Sequence, residues 1–207
     1  MRAALSLILA ASALSVGACT TPAADEPAAA ASAAVDPSSP LSAPGYMQMA
    51  ASSDMFEIES SRMALQMSQN PAVRSFAQMM VNDHSRTTSE IMAAAQSMGM
   101  QPPPPQMLPQ HADMLNRLRA AAPGDFDRAY KAEQVMAHQE ALTLHQNFAQ
   151  GGDAPALRAV AARAVPIVQG HLTQAQNLPE TMAAPMQTQP YPQQEQAPAR
   201  RRAGERG

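Results

Sequence analysis

Four side chains in this 207-residue sequence are of types that hold metal ions: Glu57, His84, His138 and His171. Neutral imidazole and carboxylate suit iron, zinc or copper, and one such group on each of four helices can converge at mid-height of a bundle. His84 raises the question. Preceded by Asp83, it falls near the centre of an apolar stripe made by Val73, Phe76, Ala77, Met80, Ile91, Ala94, Ala95 and Met98. At about 100° per residue, Val73 and His84 point almost the same way, so a polar ring faces a core. The spacing disfavours a dinuclear carboxylate site, which needs a Glu three residues before a His on two helices. Val81 holds that place before His84, and Val168 before His171. A mononuclear site is the metal reading that remains. Ahead of it stands a structural one, in which His84 hydrogen-bonds a carboxylate or Tyr130 across the bundle. An unpaired buried polar group costs about 1–3 kcal/mol, so a partner is expected with or without metal.

Other chemistries are thin. Thioethers are soft ligands, so Met47, Met49, Met79, Met80, Met98 and Met100 offer a copper(I) reading. Core packing explains Met49, Met63, Met67, Met80 and Met98 equally well, since they lie on inward stripes. There is no glycine-rich phosphate loop and no nucleophile elbow, and His84 and Ser85, adjacent on a helix, point apart. A net charge of −3, 3% aromatic residues and no Trp argue against a nucleic-acid partner. The single cysteine precludes an internal disulfide.

The elements that must position these groups are helices. The first is expected over Tyr46 to Gln69, with Met49, Ser53, Phe56, Ser60, Met63 and Met67 on one face, Glu57 on its flank and Glu59 outward. A start at Ser52, Ser53 or Asp54 is the alternative. Asn70-Pro71 restarts the chain, and a second helix runs to Met98 with Gly99 as its stop. Four prolines, Pro102 to Pro105, bar any helix. A short helix follows over Pro109 to Ala122. Asp125 is expected to cap a third long helix to about Gln150, with Phe126, Tyr130, Ala137, Ala141, Leu144 and Phe148 inward. Glu133 lies at one edge of that face, His138 and His145 at the other. Asp153 and Pro155 open the last helix, which runs to about Leu178. There Leu157, Ala161, Ala164, Val168, Leu172 and Ala175 face inward, His171 flanks them, and Pro166 predicts a kink near Ala162. No strand pattern is present. The expected fold is all-α: a ferritin-like antiparallel four-helix bundle with a crossover carrying a short extra helix.

The ends read differently. Residues 1–18 have a positive start, Met1-Arg2, and an apolar run from Ala3 to Leu14 too short to span a bilayer. Val16-Gly17-Ala18-Cys19 resembles the lipobox of bacterial lipoproteins. That resemblance implies cleavage after Ala18, a diacylglyceryl thioether on Cys19 and an acylated amino terminus. Several acyl chains anchor stably where one is marginal. Thr20, not Asp, implies sorting to the outer membrane. Residues 19–45, rich in Ala, Pro and Ser, read as a tether, 46–178 as the bundle, and 179–207 as a solvated tail closing on Arg200, Arg201, Arg202 and Arg206.

Within the bundle an ordered set of short pieces stands out: Phe76-Ala77, Met80 to Ser85, Phe126 to Tyr130, Gln134, His138, Pro166 and His171-Leu172. The set resembles domain-of-unknown-function family 4142, a ferritin-like group of bacterial envelope proteins. The resemblance implies the bundle and an exported location, and brings no activity. The function expected first is a non-enzymatic, lipid-anchored periplasmic bundle acting in envelope structure, stress response or partner binding. The membrane is its expected partner, and the sequence names no protein partner. The alternative is a ferritin-like mononuclear metal-binding or redox protein using Glu57, His84, His138 and His171.

Overall fold

Helix ends follow from capping chemistry, and one of them is set from the far end of the chain. The computed structural model describes residues 36–180; the expected signal segment 1–18, Cys19 and the tail beyond residue 180 lie outside them. Helix α1 (Ala43–Met67) starts three residues before its periodicity indicates. Ser42 Oγ accepts from Gly45 N–H at 3.1 Å, and Asp153 Oδ1 accepts from Ala43 N–H at 2.8 Å. The turn before it returns so closely that a Cβ on Gly45 would collide with the Ser39 carbonyl. Residues 36–45, tether-like in composition, are therefore turn and helix.

Helix α2 (Pro71–Ser97) begins as expected, with Asn70 Oδ1 accepting from Ala72 N–H at 2.9 Å. It ends in a Schellman motif: Gly99 takes φ +69°, its N–H reaches Gln96 O, and Met100 N–H reaches Ala95 O. After the proline run come α3 (Pro109–Ala120), a 3-10 turn (Pro123–Asp125), α4 (Phe126–Gly151) and α5 (Pro155–Gln176). Two expected caps are otherwise engaged. Asp125 accepts from Arg128 at 2.7 Å instead of capping α4, and Asp153 caps α1 instead of α5. Pro166 lies inside α5, which continues through it.

The helices pack as two hairpins, α1 with α2 and α4 with α5. Tyr46, at the start of α1, stacks on Phe148 at the end of α4, while Ser61, late in α1, meets Tyr130 early in α4. Those two helices are therefore antiparallel. So are α2 and α5, since Asp83 meets His171 and Glu90 meets Arg163. The chain runs up, down, down, up, and the segment between α2 and α4 travels the length of the bundle. This is the expected all-α four-helix bundle with a short helix in its crossover. Arg117 ties α3 to α4 through two bonds to Glu133, at 2.6 and 2.8 Å.

Two apolar clusters fill the interior. One holds Phe56, Val73, Phe76, Met80, Phe126 and Tyr130; the other holds Tyr46, Met47, Ile91, Phe148 and Leu157. Full burial of each large side chain contributes about 1.5–3 kcal/mol. The buried face of α1 differs from the expected one: Met67 is exposed, while Tyr46, Asp54, Glu57, Ser61 and Ala64 are buried. His138 and His145 are buried too, not at an edge. Among the described residues no helix is long and apolar enough to cross a membrane.

Candidate metal centre

Between the apolar clusters, α2, α4 and α5 each contribute one imidazole. The rings of His84, His138 and His171 form a nearly equilateral triangle, with centroids 5.6, 5.6 and 5.5 Å apart. One nitrogen of each ring lies within 4.8 Å of the other two. All three residues are buried, His138 completely.

Each ring is held by one nitrogen. His84 Nδ1 donates to Asp54 Oδ1 at 2.7 Å, and Asp54 Oδ2 accepts from Thr88 at 2.7 Å. His138 Nδ1 donates to the Gln134 carbonyl, one turn back, at 2.8 Å. His171 Nε2 donates to Asp83 Oδ2 at 3.0 Å, and Asp83 Oδ1 accepts from Arg86 at 2.9 Å. Carbonyls and carboxylates only accept, so these contacts fix the protonated nitrogen of each ring. The other nitrogen, Nε2 of His84, Nε2 of His138 and Nδ1 of His171, is buried without a hydrogen-bond partner.

Charge is shared unequally among the rings. Burial pulls the His84 pKa down. The Asp54 hydrogen bond and the charges of Asp54, Glu57 and Asp83 outweigh it and hold the group above its ordinary value. Burial and the neighbouring His84 charge push His138 down to about 3. The same two causes lower His171, against the pull of Asp83. Burial thus favours the neutral form of two rings, while neighbouring carboxylates favour the charged form of the third.

Of the four residues expected to form the site, three come together and Glu57 stands behind them. Its Oε1 is 3.4 Å from His138 Nδ1, the nitrogen already bound to Gln134. It is 1% exposed, neither oxygen has a hydrogen-bond partner, and burial raises its pKa to about 7 against the opposing pull of His84 and Gln134. The expected partner Tyr130 is absent from the site: its hydroxyl shares a 2.7 Å bond with Ser61, and the carboxylate of Asp54 takes His84 instead. The methionines of the copper(I) reading lie mostly in the apolar clusters. Met80 packs in one apolar cluster, and Met47 in the other with Met98 and Met100 against it.

Sequence reasoning passed over Asp54 as an orienting residue. The signal was present: Asp54, Glu57 and Ser61 recur at helical spacing on one face, and a buried mid-helix Asp must find a donor. Asp83 was visible beside His84, but adjacency in sequence hid that it serves the ring of α5.

The residues present fit a metal. A ligating histidine almost always donates its second ring N–H to a carboxylate, carbonyl or water, and all three rings do so here. Bonds of about 2.0–2.1 Å to a common ion would need ring nitrogens that now lie within 4.8 Å of one another to draw closer.

The bundle is similar to solved structures of CopM. The Cu(II)-bound form is 20% identical with TM-score 0.57, covering 66% of this chain and 94% of that one. The Ag-bound form is 20% identical with TM-score 0.55, covering 66% and 93%. The Cu(I)-bound form is 19% identical with TM-score 0.56, covering 65% and 93%. At such identity the likeness establishes the fold. No curated protein matches the chain. Residues 24–178 match the family described as "Domain of unknown function (DUF4142)", and the chain belongs to that family.

Proposed function

We propose that this protein binds one transition-metal ion through His84, His138 and His171, with copper the first candidate, and that it acts as a binding protein rather than an enzyme. One observation carries the reading: three buried imidazoles gather in one layer, each with one nitrogen fixed by an acceptor and the other left without a partner. Three unpaired polar atoms in a core each cost about 1–3 kcal/mol, a penalty that a purely structural cluster keeps and a bound ion removes. This penalty supports the metal reading over the structural one. Imidazole suits copper and zinc alike. The choice of copper rests on the fold shared with CopM, whose structures hold Cu(I), Cu(II) and silver.

Bound copper would supply a redox-active centre. The chain's residues do the rest: Asp54 and Asp83 hold protons at His84 Nδ1 and His171 Nε2, Gln134 orients His138, and Phe76 and Met80 pack in the adjoining apolar cluster. The test is metal analysis and titration of protein purified without an affinity tag. The expected result is stoichiometric copper, abolished by His84→Ala with helix content unchanged. Copper that ignores His84→Ala would overturn the assignment.

We infer further that the chain is exported and held at the outer membrane, facing the periplasm, by lipid on Cys19. The support is the lipobox-like Val16-Gly17-Ala18-Cys19, the preceding apolar run and the Ala/Pro-rich stretch before the bundle. Fatty-acid labelling that persists in Cys19→Ala would remove that support.

A further inference from the structure

We propose a second, solvent-open site for a divalent cation at His111 and Glu140, in the cleft between α1, α3 and α4. It stands apart from the central imidazoles and does not depend on them. The cleft has a volume of about 440 Å³ and is lined by neither Lys nor Arg. The nearest fixed positive charge acting on Glu140 is Arg117, which is itself engaged by two bonds to Glu133.

The geometry is that of a prepared ligand. His111, in the first turn of α3, is buried, and its ring is held from two sides. Its Nδ1 shares a 2.7 Å hydrogen bond with Ser52 Oγ, which itself accepts from Leu108 N–H at 2.7 Å. The ring lies parallel to Phe56 at 6.1 Å. That leaves Nε2, which stands 3.7 Å from Glu140 Oε2. The separation is too long for a hydrogen bond. It is close to the roughly 3–3.5 Å between two ligands on one ion with bonds of about 2.1 Å.

Polar residues lie beside the pair in the cleft. Ser53, on its wall, is 5% exposed, and its Oγ has no hydrogen-bond partner. Gln139 and Asn147 add amide oxygens to the lining. One imidazole, one carboxylate and amide or hydroxyl oxygens suit a borderline divalent ion such as Zn²⁺. Burial lowers the His111 pKa, which favours the neutral ring. Glu140 is half in solvent, so the site exchanges with its surroundings more readily than the buried one and binds more weakly.

The test uses the untagged full chain and Zn²⁺ alone, titrated by calorimetry at pH 7.5. Wild type should take up about two equivalents in a tighter and a weaker step. Glu140→Gln should remove the weaker step and leave the tighter one. His84→Ala should do the reverse, so failure of the central site and failure of this one are separable. Glu140 is exposed enough for the Gln variant to leave packing intact, and far-ultraviolet circular dichroism checks this. Imidazole nitrogen resonances of His111 should shift across the weaker step in wild type and stay still in Glu140→Gln. A weaker step that survives Glu140→Gln, or a wild type whose only step is the one His84→Ala abolishes, would overturn the proposal.

Discussion

In the proposed site, Asp54 would set how His84 meets an ion. Its carboxylate fixes the Nδ1 proton and orients the ring, so Asp54→Asn should weaken copper binding about 10–100-fold without removing any ligand. Competition against a chromophoric chelator measures this; unchanged affinity would deny Asp54 an orienting role. The same contact holds the His84 pKa above its ordinary value. Metal at Nε2 competes with the proton that charges the ring, so affinity should fall as pH drops. Glu57 gives a separate pH signature. Its pKa rises from 4.5 unfolded to about 7 folded, so the native state binds the extra proton between those values. The stabilisation present at low pH is lost as pH rises through about 7. Glu57→Gln should therefore raise metal-free stability by on the order of 1–3 kcal/mol at pH 8 and by much less at pH 5, read by urea unfolding at the two values.

The helices were legible in the sequence wherever a local rule governs. Apolar periodicity gave α2 and α5, Asn70-Pro71 gave the α2 start, and Gly99 gave its end, because each depends on neighbours within a turn. What stayed hidden depends on residues far along the chain. The start of α1 is fixed partly by Asp153, 110 residues away, which composition in the Ala/Pro stretch cannot report. Asp153 looked like the cap of its own helix for the same reason. Replacing it with Ala should cost about 0.5–2 kcal/mol and speed amide exchange at Ala43, with the α5 amides unaffected. Faster exchange at α5 instead would restore the local-cap reading. The candidate site divides along the same line. Helical phase gave the inward place of His84 but put His138 and His171 at the margins of their faces, where the bundle buries both; the bond from His138 to Gln134, one turn back, lies within a helix. The pairings of Asp54 with α2 and of Asp83 with α5 needed the bundle assembled, and the cleft at His111 needed the crossover in place.

Taken whole, the bundle places one candidate ligand in its first hairpin and two in its second. Binding to the folded state alone adds about 2.7 kcal/mol at a free ion concentration one hundred times the dissociation constant. For a chain of this size that corresponds to a rise of roughly 5–10 °C in melting temperature. Calorimetry with and without copper should show the rise in wild type and its absence in His84→Ala; equal shifts in both would place the ion elsewhere. The crossover adds a matter of order in time. His84 leaves the ribosome 87 residues ahead of His171, and a hairpin closes on itself far sooner than two hairpins separated by a bundle-long strap find each other. The trio is complete only once that docking is done, so under the proposed reading an ion would find all three imidazoles only in the finished bundle, and the second hairpin alone would offer two.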